Sequence, residues 1–162
     1  MNVLDAIGTK RAVRQFTDQP VPDDVIRAIL NAGRRAQSSK NDQPWHFIVI
    51  RDRNTLKQLA ECGKYARHLA GAAFAVAILS STDWAFDIGQ AAAHMQLAAW
   101  ELGVSSCIAS IWEPERARAV LGVPPDKFFE IAISFGYAAE TPASARPSGR
   151  RSFEDVVRWE RW

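Results

Sequence analysis

From Ala73 to Ser80 the chain reads Ala-Phe-Ala-Val-Ala-Ile-Leu-Ser, apolar at every position but the last. A run of this length with no polar alternation is a strand buried on both of its faces, so its sheet needs cover on two sides. Trp84 to Leu102 then reads as one long helix. Ile88, Ala91, Ala92, Met95, Ala98, Ala99 and Leu102 form its apolar stripe, and Gly103 is placed to end it. Its many alanines suit a central helix packed closely against neighbours.

Further elements alternate along the chain. Val3 to Thr9 is expected to be a short helix with Val3, Leu4 and Ile7 on one side. Val21 to Arg35 reads as a second helix, with Pro22 in its first turn, Asp23 and Asp24 at its positive end, and Val25, Ile26, Ile29 and Leu30 at helical spacing. His46 to Arg51 is a strand, and Asp52 or Asn54 caps a helix running to about Glu61. A helical turn is expected over Tyr65 to Leu69. Ser105 to Ile111 and Phe128 to Phe135 are two more strands, with a helix from Pro114 to Leu121 between them, closed by Gly122. Tyr137 to Gly149, which holds Pro142 and Pro147, reads as an extended arm. Four strands interleaved with a larger share of helix place the chain in the α/β or α+β class.

At 162 residues the chain has room for one domain with a real core. The net charge of +2 is small and its signs are interspersed, so no stripe for nucleic acid is visible. Arg146, Arg150, Arg151, Arg158 and Arg161 crowd the C-terminal part, but Glu154, Asp155 and Glu160 sit among them. Cys62 and Cys107 lack metal-type spacing and are expected to be reduced thiols. No leader-like segment follows Met1, and the longest apolar stretch, Leu69 to Leu79, is too short to span a bilayer. A cytoplasmic protein without membrane or nucleic-acid partners is expected.

Two segments carry the chemistry. Gln37-Ser38-Ser39-Lys40-Asn41-Asp42-Gln43-Pro44-Trp45 is a polar loop between a helix and a strand. Its amides and hydroxyls each offer donors and acceptors, as a flat ligand edged with heteroatoms requires. Lys10-Arg11-Ala12-Val13-Arg14 gathers three cations where the first helix ends. They suit a phosphate group, and they equally suit the negative end of a helix dipole. No glycine-rich phosphate loop is present, so any phosphate must be held by side chains. His46, His68 and His94 share no metal spacing and read as packed or surface imidazoles. No nucleophile with its base is visible, a pattern of enzymes whose chemistry belongs to a cofactor.

Together these segments resemble the FMN-dependent nitroreductase family. Lys10-Arg11-Ala12-Val13-Arg14-Gln15-Phe16 is similar to that family's Arg-Arg-Ser-x-Arg-x-Phe opening, and Gln37 to Trp45 to its Pro-Ser-Ser-x-Asn-x-Gln-Pro-Trp loop. Gly149 to Val157, with the closing Trp-Glu-Arg-Trp, is similar to its basic C-terminal segment. The resemblance implies an α+β, three-layer α/β/α fold with a mostly antiparallel central sheet. It implies a single FMN-binding domain over residues 1–162, forming a homodimer with FMN at the interface. The arm from about residue 137 to 162 would wrap the partner. By carry-over, Lys10, Arg11 and Arg14 hold the FMN phosphate and ribityl chain, and Arg150 or Arg151 closes over the phosphate. Ser38, Ser39 and Asn41 reach the flavin from the partner subunit. Ala12 and Gln37 lie in the same binding segments but replace the usual Ser and Pro; Ala12 removes one hydroxyl from the phosphate cluster, and both departures are expected to weaken FMN binding or tilt its position. The implied activity passes a hydride from NAD(P)H through flavin to nitroaromatic or quinone-type acceptors in a ping-pong cycle, with no catalytic side chain and no metal. Alternatives left open are a flavin store or sensor, reductive dehalogenation, enoyl-type reduction, flavin fragmentation, and a domain binding polyanions through the C-terminal arginines.

Overall fold

The computed structural model describes residues 2–140 and 149–162. The part of the expected arm that carries Pro142 and Pro147 lies outside the described residues. Four strands, β1 (Trp45–Ile50), β2 (Phe74–Ser80), β3 (Ser105–Ser110) and β4 (Phe128–Gly136), form one sheet in the order β1-β2-β4-β3. All three pairings are antiparallel. A parallel bridge between Ala12 and Ser106 lays the N-terminal segment along the outer edge of β3.

The sheet is covered on both faces, as the all-apolar strand requires. Every residue of β2 is buried. Phe74, Val76 and Ile78 point to one side, where they meet Ile133 and Phe135 of β4. Helices α2 (Asp23–Arg34) and α4 (Ala85–Glu101) complete that layer through Ile26, Ile29, Ala91, Met95 and Ala99. Phe74 and Phe135 stack with ring centroids 4.8 Å apart. Ala75, Ala77 and Leu79 point the other way, onto α3 (Arg53–Ala60), α5 (Pro114–Leu121) and a 3-10 turn at Arg67–Gly71. The result is an α+β fold of three layers.

Local chemistry explains the element ends. Asp52 caps α3 by accepting the Thr55 N–H at 2.8 Å. Helix α5 has Pro in its first turn and ends at Gly122, whose φ of 65° is open to glycine at little cost. Pro22 is the N-cap residue of α2 rather than part of its first turn, because helical geometry starts only at Asp23. The expected turn at Tyr65 to Leu69 lies two residues later. A short helix, α6 (Phe153–Val156), has no counterpart among the expected elements; Ser152 caps it by accepting the Asp155 N–H. No described helix is long and apolar enough to cross a membrane.

Candidate functional site

The N-terminal cations separate into two kinds. Helix α1 (Val3–Thr9) ends with Lys10 as its C-cap. Arg11 Nη1 donates to the carbonyls of Gly8 and Lys10, both at 2.9 Å, so this arginine serves the helix end. Lys10 and Arg14 have no ion-pair partner among the described residues. The Val13 N–H donates to the Ser106 carbonyl at 3.1 Å and fixes this segment on β3. Burial pushes the Lys10 ammonium below its usual range, with the Cys107 thiol opposing. Burial also raises the Cys107 thiol, against the pull of Arg14 and Lys10. A half-buried cation without a counter-charge is a ready anion ligand.

The polar loop is held in a strained form. Lys40, Asn41 and Gln43 have φ of 49°, 59° and 47°. Left-handed backbone at non-glycine residues costs energy and persists only where its surroundings enforce it. Here the Ser38 hydroxyl accepts the Gln43 N–H at 2.9 Å. The Ser39 N–H donates to Asp87 Oδ2 at 3.1 Å, and Asp87 is buried in the first turn of α4. Buried Trp45 anchors the far end. The Ser39 hydroxyl and the Asn41 and Gln37 amides are exposed and have no protein partner among the described residues. Gln37, Ser38 and Ser39 line a cleft of about 290 Å³ with Trp84, Phe86, Asp87 and Gln90.

The two segments do not meet. Ala12 bridges Ser106, which is level with Phe135 and Phe74. The loop enters β1 at Trp45, which is level with Ser80 at the other end of β2. Strands β1 and β3 are also the two opposite edges of the sheet. At about 3.4 Å per residue and about 4.8 Å per strand, the two segments are on the order of 25 Å apart, at diagonal corners. Arg150 and Arg151 are exposed, and Arg151 Nη2 donates to the Asp155 carbonyl at 2.7 Å. The hydrogen bonds and ring contacts of residues 149–162 all run within that segment among the described residues, and Trp159 and Trp162 are 76% and 100% exposed.

Sequence reasoning missed Asp87 and the cluster of His68, Ser134 and Cys107. Asp87 lies 48 residues from Ser39, so no local spacing links them. His68 is buried, with Nδ1 2.7 Å from Ser134 Oγ.

The nitroreductase family model matches residues 7–77 and 64–137. A protein of Archaeoglobus fulgidus, provisionally named NADH dehydrogenase/NAD(P)H nitroreductase, is 30% identical over 98% of this chain and 98% of its own length. A protein of Methanothermobacter thermautotrophicus with the same provisional name is 29% identical over 100% of this chain and 88% of its own. Among solved structures, an FMN-dependent nitroreductase of Clostridium difficile superposes with a TM-score of 0.89. It is 28% identical, and the match covers 98% of this chain and 99% of that one.

Proposed function

Since the chain belongs to the nitroreductase family, we propose that it is an FMN-dependent NAD(P)H oxidoreductase whose two binding segments meet across a homodimer. The observation that carries the dimer is the diagonal placement of the segments. A separation on the order of 25 Å exceeds the reach of a ribityl tether, so one chain does not hold both ends of one FMN. A second copy, turned by a two-fold axis, sets its loop beside the first copy's cations. Helix α1 supports this pairing. Its side bearing Val3, Leu4 and Ile7, 65%, 75% and 58% exposed, is an apolar surface without cover.

The residues suit the cofactor. Lys10 and Arg14 offer unpaired charge to the phosphate, and burial leaves Lys10 in need of an anion. Arg11, engaged with the end of α1, is the weaker of the three candidates. The Ser39 hydroxyl and the Asn41 and Gln37 amides provide donors and acceptors for the polar edge of the flavin. Ser38 contributes mainly by bracing the loop. Ala12 supplies backbone but no hydroxyl. Arg150 or Arg151 adds a further cation at the phosphate.

Bound FMN supplies the redox chemistry between NAD(P)H and a nitroaromatic or quinone-type acceptor, one substrate leaving before the other enters. The chain's own part is to neutralise the phosphate, orient the ring by the strained loop, and exclude water between two subunits. The test is complementation. Arg14→Ala and Asn41→Ala each weaken both sites of their own homodimer. Mixing the two variants makes heterodimers with one intact site, so bound flavin and NAD(P)H oxidation recover in part. A mixture no better than its parents would refute the shared site.

A further inference from the structure

A buried ring beside the cationic segment ends in an unpaired atom. His68, 7% exposed, sits in the 3-10 turn packed on α3, β3 and β4. Its Nδ1 is 2.7 Å from Ser134 Oγ, and the Ser134 hydroxyl donates to the Cys107 carbonyl at 3.2 Å. A serine hydroxyl carries one hydrogen. Both contacts are satisfied together in one arrangement: the hydroxyl hydrogen goes to the Cys107 carbonyl, which can only accept, and His68 Nδ1 carries a proton and donates it to Ser134 Oγ. The neutral ring then presents Nε2 as a bare acceptor, and Nε2 is buried without a partner among the described residues.

The strand register brings this ring to the edge where the cations lie. Ala12 and Val13 are tied to Ser106, and the next residue, Cys107, pairs with Ser134. Lys10 and Arg14 flank that tie. We propose that His68 is a positioning residue of the anion cradle, taking a proton from solvent onto Nε2 when a phosphate docks on Lys10 and Arg14. The identity of the anion as the FMN phosphate rests on the function proposed above; the coupling itself does not.

The electrostatics agree in sign. Burial first, and the Arg14 charge second, hold the ring neutral, while the Ile108 carbonyl favours its charged form. A phosphomonoester brings nearly two negative charges and cancels Arg14. Of the carboxylates on the neighbouring elements, Glu130 of β4 is exposed, and Glu61 at the end of α3 pairs with Arg116. On α3, Arg53 donates to the Ala72 carbonyl at 2.9 Å and pairs with Asp18 at 3.7 Å, and Lys57 is exposed. On the turn itself Arg67 is exposed. Strand β3 presents Cys107, kept as a thiol by burial, and β4 presents uncharged Ser134. No carboxylate bonds to the ring among the described residues.

The test is calorimetric titration of flavin-free protein with FMN near neutral pH, in two buffers of different ionisation enthalpy. It is paired with imidazole nitrogen shifts of His68, recorded with FMN and with inorganic phosphate. Net proton uptake is expected, with affinity falling by up to about tenfold per pH unit through the window of the bound ring. In His68→Gln the uptake disappears and the profile flattens. The phosphate of FMN titrates near pH ~6 in both proteins, so their difference isolates the ring. FMN binding with no proton uptake and identical profiles overturns the inference and leaves the proposed function standing. If FMN does not bind, the proposed function falls and inorganic phosphate decides: a protonation shift at His68 supports the coupling, and none overturns it. Should His68→Gln fail to fold, the ring shifts in the unmodified protein decide between the same two outcomes.

Discussion

Replacing Asp87 by Ala should release the polar loop without dismantling the domain. The carboxylate is 4% exposed and accepts the Ser39 N–H at 3.1 Å. A hydrogen bond to a charged acceptor is worth about 1.5–3 kcal/mol. Against it stands the backbone tension of Lys40, Asn41 and Gln43, roughly 1–3 kcal/mol each. The Ser38–Gln43 bond offsets only about 1 kcal/mol of that. These two bonds do not offset the tension alone; backbone bonds from Asn41 to Ser38, from Asp42 to Ser39 and from Ser81 to Pro44 share the load, and loss of the Asp87 bond should shift the loop toward open forms by roughly 10–150-fold. The Ser39 amide, followed by hydrogen exchange, should lose protection by a factor in this range. Apparent FMN affinity falls with the closed fraction. Asp87→Asn keeps an acceptor and should lose about half as much free energy, since charge-assisted bonds are roughly twice as strong as neutral ones. Unchanged Ser39 exchange in Asp87→Ala, in a protein with a native urea midpoint, would refute this account of the loop.

Other expectations follow from single residues. Arg14→Ala should weaken FMN by roughly 10–150-fold in a fluorescence titration, a lost charge-assisted bond of about 1.5–3 kcal/mol, and leave the melting temperature of the flavin-free protein unchanged, because Arg14 is exposed and forms no ion pair among the described residues. Gly122→Ala should cost about 1 kcal/mol by urea unfolding; a Cβ there meets nothing within 4 Å, so the φ of 65° alone is the penalty. The flavin-free protein should lose stability as pH falls below the ordinary histidine value of 6.5. His68 is held neutral in the fold, so the unfolded chain binds the extra proton, and His68→Gln should remove that part of the acid slope in unfolding measurements.

Elements specified by neighbouring residues were legible in the sequence. The helix expected from Pro114 to Leu121 has those bounds, since a proline at one end and a glycine at the other act locally. Trp84 and Leu102, the expected ends of the long helix, are its two caps. The loop and the N-terminal cations were visible as composition, and their expected roles came from the family resemblance rather than from spacing. That Arg11 serves the end of α1 while Lys10 and Arg14 stay unpaired depends on side-chain direction, which spacing does not encode. The bracing of Ser39 by Asp87 and of His68 by Ser134 joins residues 48 and 66 positions apart. Such contacts arise only when the sheet brings distant strands and helices together.

The diagonal corners have a consequence for behaviour in dilute solution. A two-fold pairing that completes one pocket completes the other in the same act, so pockets come into being two at a time. Each separated chain would carry two incomplete halves and little colour. Yellowness per chain should then fade on dilution along the same curve as the loss of paired chains, and added FMN should pull chains back together.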